Sequence, residues 1–146
     1  MKKTILSIAI ALISTSGFSQ VKRVDLSKKQ IGPLECNFIQ RIDLEKKDTS
    51  CYFYGGFQNA KYTTIVDIGG VFISNKEDFE SIIKQLKEVK SIMEGGEKVD
   101  YTSGPFALYD FSNKMYINDD RKYTTLTVGQ VTKFIEFLES GQSYLK

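Results

Sequence analysis

The segment 50–96 constrains the fold of this 146-residue chain more than any other. It contains two strand-like runs, 51–57 and 62–73, followed by the longest helical pattern in the sequence. In the first run phenylalanines and tyrosines alternate, and the second run is rich in β-branched residues, as is typical of strands. Turn-forming residues at 58–61 separate the runs, so the sequence predicts an antiparallel hairpin.

The helical pattern that follows has one apolar face, because its apolar residues recur at intervals of three and four. These residues are Phe79, Ile82, Ile83, Leu86, Val89 and Met93. Ser74 or Asn75 is expected to cap the first turn, and the glycines at 95–96 are expected to end the helix. The apolar face is expected to cover the hairpin.

Two adjacent glycines, Gly69 and Gly70, interrupt the second strand-like run. A one-residue slip there would bring the apolar residues before and after the glycines to one face of the sheet, so the sequence predicts a β-bulge. A phosphate-binding loop would need more glycines, a lysine and a following helix N-terminus.

The second half of the chain predicts a β-meander and a helix. Strand-like runs at 106–111, 114–118 and 122–126 are separated by polar turns. Thr127 and Gln130 form the sequence signature of a capping box, and Gly141 is expected to end the helix. Phe137 lies outside the main apolar stripe and is expected to pack on Tyr144 or on a partner subunit.

The resulting fold class is α+β: one antiparallel sheet of five to six strands, built as hairpin–helix and then meander–helix, with both helices packed on one face. Residues 20–146 are expected to form this single domain. Within it, residues 20–33 are an edge strand or a loose N-terminal arm.

Residues 1–19 have the layout of a secretory signal peptide. Lys2 and Lys3 precede an apolar run at 5–13, and small residues at 17 and 19 precede the expected cleavage site. The apolar run is less than half of the about 20 residues that a membrane helix needs. The sequence therefore predicts a secreted or periplasmic protein with no stable membrane span after cleavage.

Charge and composition exclude several function classes. The chain has 20 basic and 18 acidic residues, and loss of Lys2 and Lys3 with the leader would leave 18 of each. A formally neutral protein lacks the basic excess that nucleic-acid binding needs. The chain contains no histidine, which excludes His-dependent catalysis and His-bearing metal sites. No cofactor or metal site is predicted.

The tetrapeptide Lys-Tyr-Thr-Thr occurs twice, at 61–64 and at 122–125. Each copy lies in a strand-like run that leads to a helix, although the distance from the tetrapeptide to the helix differs. A tetrapeptide alone is weak evidence for internal repetition, so the sequence leaves a duplication of the two halves open.

Tyrosines on the predicted strands form the candidate ligand-binding platform. Tyr52 and Tyr54 share one strand face, and Tyr62 and Tyr123 lie in other runs. Such rings can bind a glycan or a peptide, but tyrosine is also a common strand residue with a half-buried ring. The chain has no tryptophan.

The only cysteines, Cys36 and Cys51, are expected to form a disulfide if the protein is exported. A tight hairpin between the runs 34–44 and 51–57 would place the two sulfur atoms too far apart. Disulfide and tight hairpin exclude each other, and export favours the disulfide.

Three hypotheses for function remain at this level. The first is a non-catalytic binding or inhibitor module of the bacterial cell envelope, monomeric or weakly dimeric, whose partner is an envelope protein or glycan. The second is a small carboxylate-dependent hydrolase using Glu35, Asp67, Asp110 or Asp119. The third is a structural or assembly subunit that adds a strand to an exposed sheet edge.

Overall fold

The computed structural model describes residues 21–62, 64 and 66–145, so the predicted signal peptide lies outside the described residues. The described residues form eight strands, two α-helices and one turn of 3₁₀ helix. The strands are β1 (Val21–Ile31), β2 (Leu34–Asp43), β3 (Asp48–Gln58), β4 (Ile68–Ile73), β5 (Tyr101–Ser103), β6 (Phe106–Leu108), β7 (Met115–Asp119) and β8 (Lys122–Leu126). The helices are α1 (Lys76–Gly95), α2 (Val128–Ser140) and the 3₁₀ helix (Gln142–Tyr144).

The fold is α+β, as predicted, but the strands form two sheets rather than one. Sheet 1 has the order β1-β2-β3-β4 and sheet 2 the order β5-β6-β7-β8, with all neighbours antiparallel. The expected single sheet of five to six strands is therefore wrong. Residues 21–31, which the sequence left as an edge strand or a loose arm, form the edge strand β1.

The two sheets meet where the edge strand β4 approaches the β7–β8 hairpin. There the Asp119 side chain accepts a hydrogen bond from the backbone N–H of Gly70 (2.8 Å), and Lys122 Nζ donates to the carbonyl oxygen of Ile68 (2.6 Å). Side chains thus satisfy two backbone groups on the free edge of β4 that a seventh ladder would otherwise pair. At this edge the two sheets are therefore joined by side-chain contacts instead of a ladder.

Both helices begin and end where the sequence predicts. The Asn75 side chain accepts the N–H of Asp78 at the start of α1, and Gly96, with φ 69°, ends it. Thr127 and Gln130 form the complete capping box of α2, which ends at Gly141.

One apolar core lies between the sheets and the helices. The inner faces of both sheets and the apolar faces of both helices contribute to it, which places the two helices on the same side of the sheet layer. Its largest fully buried residues are Phe38, Phe53, Phe79, Phe106, Phe134, Ile31, Leu34, Ile73, Leu86, Met115, Ile117 and Leu126. Burial of this many large side chains dominates the folding free energy.

Phe137 is buried within this core. Its ring centroid lies 5.4 Å from that of Phe38, and the Phe38 ring in turn contacts Tyr144. The sequence predicted a contact of Phe137 with Tyr144 or with a partner subunit, but Phe137 packs on Phe38, and it is Phe38 that contacts Tyr144.

The bulge predicted at Gly69 and Gly70 is wrong. The β3–β4 register is continuous through both glycines, which oppose Phe57 and Gly56. The strand begins only at Ile68, so the apolar residues before it lie in the connection; Val66, for example, is 83% exposed. No register correction is needed there, and the register of sheet 1 shifts instead in β1, between Asp25 and Ser27.

The predicted Cys36–Cys51 disulfide is also wrong. Strands β2 and β3 form the tight hairpin, in which Cys36 opposes Gly55 and Cys51 opposes Gln40. A four-residue offset separates the cysteines by about 13 Å along the strands, whereas a disulfide needs Cα atoms within about 7 Å. Both thiols are free.

The repeated tetrapeptide does not occupy equivalent positions. Lys61 and Tyr62 lie in the β3–β4 connection, whereas residues 122–125 belong to β8. The two halves nevertheless share one order of elements, four antiparallel strands followed by a helix. That order, rather than the tetrapeptide, is the feature that keeps the duplication hypothesis open.

Candidate binding surface

The faces of the two sheets that point away from the helices, here called the outer faces, carry the candidate site. On β3 the residues Phe53 and Phe57 are buried in the core, so the alternating Tyr52 and Tyr54 point outward. Phe72 of β4 is the cross-strand partner of Tyr54 and is 60% exposed. Sheet 1 therefore presents three aromatic rings on one open face.

Tyr52 and Phe72 form an aromatic pair on this face. Their ring centroids are 5.1 Å apart and the ring planes are inclined by 42°. Because Phe72 is largely exposed, such a cross-strand pair contributes about 0.3 kcal/mol. The two rings therefore contact each other but are only weakly coupled.

Tyr54 lies across two glycines that face each other on β3 and β4, Gly56 and Gly70. A Cβ atom added at Gly70 would come within 2.7 Å of the Tyr54 ring, and one added at Gly56 within 2.9 Å. Only glycine leaves room for this ring to rest on the sheet, an arrangement known to compensate for glycine in strands.

Two arginines lie beside the aromatic rings. Arg23 of β1 and Arg41 of β2 are cross-strand partners on the outer face. Neither forms an ion pair with a carboxylate among the described residues. They line one side of a shallow depression of about 500 Å³. The full lining consists of Arg23, Ile39, Arg41, Ser50, Cys51, Tyr52, Tyr54, Phe72 and Ser74.

The carboxylate of Asp43, two residues beyond Arg41, is engaged in the β2–β3 turn. It accepts the backbone N–H groups of Lys46 (3.0 Å) and Glu45 (3.2 Å). These hydrogen bonds, foremost that from Lys46, lower the pKa of Asp43, and the charge of Arg41 adds a smaller effect. Asp43 therefore acts as a turn cap rather than as the dedicated partner of Arg41.

A second set of rings extends from the outer face of sheet 2 into the β6–β7 connection, which contains Tyr109 and Phe111. Phe111, Tyr109, Tyr116 and Tyr123 form a row with successive centroid distances of 5.4, 4.9 and 5.7 Å. Phe111, at one end of the row, is 75% exposed. Each ring in this row packs edge or face against its neighbour, and the three tyrosines are half-buried.

The predicted tyrosine platform is thus divided between places. Tyr52 and Tyr54 lie together on sheet 1, and Tyr123 lies in the row on sheet 2. Tyr62 lies in the β3–β4 connection, where Lys61 Nζ is 5.4 Å from its ring centroid. Among the described residues, no ring contact joins Tyr62 or Tyr123 to the rings of sheet 1.

Sequence reasoning missed Phe72, Arg23 and Arg41. Alternation from the buried Val71 and Ile73 would have placed Phe72 on the outer face once the strand was known to begin at Ile68. Pairing of the two arginines depends on the β1–β2 register, which contains the shift between Asp25 and Ser27. No local sequence signal reveals that register.

Of the four candidate catalytic acids, Glu35, Asp67 and Asp119 make side-chain contacts elsewhere, whereas Asp110 makes its contact through the backbone. Glu35 forms an ion pair with Lys28 (2.7 Å), which lowers the pKa of Glu35. Asp119 bonds the β4 edge, and the backbone N–H of Asp110 donates to the carboxylate of Asp100 (3.1 Å). None of these acids lines the depression on sheet 1.

Asp67 belongs to a polar cluster at the junction of the sheets, here called the polar joint and formed by Asn59, Asp67, Asp119 and Lys122. Asn59 is 1% exposed and donates a hydrogen bond from Nδ2 to Asp67 (2.8 Å). Its Oδ1 accepts the backbone N–H of Tyr123 (3.3 Å). The hydrogen bond from Asn59, and then Lys122 at 3.2 Å, lower the pKa of Asp67. The joint's contacts connect the two sheets.

The two thiols differ in reactivity. Burial raises the pKa of Cys36 to about 12, so its thiolate is scarcely populated at neutral pH. Cys51 is partly exposed and lines the depression beside Tyr52. Only Cys51 is therefore accessible to reagents in the folded protein.

Comparison with protein-family models, with curated proteins and with solved structures gives no match to this chain. Within the described ranges, no helix is long and apolar enough to cross a membrane. The same part of the chain contains no group of three or more Cys, Asp or Glu side chains arranged to hold a metal ion. The geometry of the surface is therefore the basis on which a function can be proposed.

Proposed function

We propose that this protein is a non-catalytic binding or inhibitor module of the bacterial cell envelope, secreted or periplasmic, that binds its partner on the outer face of sheet 1. One observation carries the proposal: the exposed Phe72 and the half-buried Tyr52 and Tyr54 share one sheet face and one depression with Arg23 and Arg41. Clustered exposed aromatic residues and arginine are the residue types that dominate binding energy at interfaces.

The glycines beneath Tyr54 support this proposal. Glycine in a strand costs conformational entropy and contributes no packing. The strands nevertheless contain glycine at Gly56 and Gly70, the two positions where a larger residue would prevent Tyr54 from lying on the sheet. A ring that is held in place loses little further freedom on binding, which favours affinity.

The proposed export rests on the leader-like residues 1–19. Cleavage after Ser19 would leave Gln20 as the first residue, one position before β1 begins at Val21. Every described strand would remain after cleavage. Intact-mass analysis of protein from its native host is expected to show the leader removed, and retention of Met1 would contradict export.

Other features weigh against the two alternatives. A carboxylate-dependent hydrolase needs two acids in one cleft, but the depression on sheet 1 has no acidic lining residue. Strand addition needs an accessible edge, and β1 is a bulged edge strand rich in Lys and Arg, features that oppose edge pairing. An assembly role would instead appear as concentration-dependent size-exclusion elution.

The test is capture of envelope components by the purified, tagged protein and by two double variants. Tyr52→Ala with Phe72→Ala removes two rings from the outer face of sheet 1. Phe111→Ala with Tyr116→Ala removes two rings from the row formed by Phe111, Tyr109, Tyr116 and Tyr123. We expect the sheet 1 variant to lose the captured component and the sheet 2 variant to retain it. Equal capture by all three proteins would contradict the proposal.

A further inference from the structure

We infer that the depression on sheet 1 binds an acidic saccharide, in which a uronate carboxylate contacts Arg23 and Arg41 and a sugar ring stacks on the aromatic residues. This inference rests on the proposed function and specifies its ligand class. It follows from three features of the face: unpaired cations, flat aromatic rings and small hydroxyl side chains.

The two arginines favour a ligand that carries an anionic group. Like charges placed directly opposite each other destabilise an antiparallel pair, and Arg23 opposes Arg41. With no ion pair to a described carboxylate, both guanidinium groups retain their donors for a ligand. Guanidinium groups bind carboxylates through paired, charge-assisted hydrogen bonds. An anionic group between the two side chains would relieve their repulsion.

The aromatic rings favour a ligand with a flat apolar face. Tyr54 rests on Gly56 and Gly70 and presents its open side outward, while Tyr52 and Phe72 form the adjoining pair. These rings lie side by side along one open depression. The apolar face of a sugar ring matches such a surface, which favours a saccharide over an acidic peptide.

The size and the remaining lining residues agree with this ligand. About 500 Å³ lies within the range typical of small-molecule sites. Ser50 and Ser74 place hydroxyl groups at the same depression, where they can exchange hydrogen bonds with sugar hydroxyls. Arginines on one side and rings on the other fit one carboxylate beside one ring.

Isothermal titration of the purified protein tests the inference with tetrasaccharides of galacturonate, mannuronate and glucuronate-containing hyaluronan. A neutral cello-tetrasaccharide and a hexaglutamate peptide are the comparison ligands. We expect at least one uronate to bind, the neutral sugar to bind about tenfold or more weakly, and added salt to weaken uronate binding. Absence of binding by all three uronates would overturn the inference, as would equal binding of the neutral sugar or of hexaglutamate.

Matched variants locate the site. Arg23→Gln with Arg41→Gln is expected to weaken uronate binding about tenfold or more. The control, Lys84→Gln with Lys114→Gln, removes the same charge from exposed positions elsewhere and is expected to leave affinity within about twofold. Equal losses in the two double variants would contradict the assigned site. If envelope capture depends on Tyr52 and Phe72 while no uronate binds, the saccharide inference fails and the proposed function stands.

Discussion

The outer faces of the two sheets are both aromatic, yet their rings rest on different neighbours. On sheet 2 the four rings pack against one another in a row. On sheet 1 the ring of Tyr54 lies on glycine backbone, and the Tyr52–Phe72 pair borders two unpaired arginines. The number of aromatic residues on a strand therefore does not identify a binding surface. The groups that lie beneath and beside each ring must be known as well.

The largest effect is expected where the two faces are joined. Asn59→Ala removes the buried amide that connects Asp67 with the backbone of Tyr123, so the part-buried N–H of Tyr123 loses its acceptor and Asp67 loses a donor. We expect a loss of about 2–3 kcal/mol in the free energy of unfolding. Urea denaturation measures it, with the exposed Asn113→Ala as the matched control. A loss no greater than that of the control would show that the sheets do not depend on this joint.

The adjacent glycines of β4 should differ in their tolerance of a side chain. A Cβ at Gly69 would lie 2.7 Å from the buried Phe57 ring and 3.2 Å from Lys122 Cβ, so Gly69→Ala is expected to cost about 1–3 kcal/mol. At Gly70 the obstructing atoms belong to the tip of the Tyr54 ring, which can swing into solvent. Gly70→Ala should therefore cost less than about 1 kcal/mol while weakening ligand binding. Equal destabilisation by both substitutions, measured by thermal and urea unfolding, would refute this distinction.

Double-mutant cycles would sharpen the contrast between the rings themselves. For Tyr109 and Tyr116, whose centroids are 4.9 Å apart in edge geometry, we expect a coupling energy of about 1 kcal/mol. For Tyr52 and Phe72 the expected coupling is about 0.3 kcal/mol, because Phe72 is largely exposed. A larger coupling energy for Tyr52 and Phe72 than for Tyr109 and Tyr116 would contradict this contrast between the two faces.

The smallest effect concerns pH. The pKa of Asp67 is lowered in the folded protein, chiefly by the hydrogen bond from Asn59, from an ordinary value of 3.8. A lowered folded-state pKa stabilises the protein above the unfolded-state value, and that contribution is lost as the pH falls through the folded-state value. The melting temperature of Asp67→Asn should therefore lie below that of the wild type at pH 7 and converge with it below pH 3.8. A constant difference across that range would contradict the role of Asp67.

Local patterns predicted the elements better than their arrangement. The cap at Asn75, the capping box at Thr127 and the apolar face of α1 all depend on residues within a few positions of each other, and the structure confirms them. Strand β5, at 101–103, was missed because three residues carry too little pattern to be recognised. Where the two sheets meet, the side chains of Asp119 and Lys122 contact the edge of β4. These residues are distant from β4 in sequence, so no local periodicity predicts the contact.

The candidate site was predicted only in part, for the same reason. Tyr52 and Tyr54 share a face because they are two positions apart on one strand, which the sequence shows directly. Phe72 and the arginines join them only through the pairing of four strands. Cys36 and Cys51 were paired on the basis of compartment alone, and the register of a single hairpin overrode that argument.

The placement of the two cysteines gives oxidation a consequence for folding. In the native β2–β3 hairpin the thiols are too far apart to react with each other, so an oxidant cannot form a disulfide between them in the folded protein. In the unfolded chain they are only 15 positions apart in sequence and can meet easily. A bridge made at that stage would forbid the native register and hold the chain in a kinetic trap until a reductant opened it. In an oxidising compartment, the β2–β3 hairpin must therefore close before the two thiols find each other.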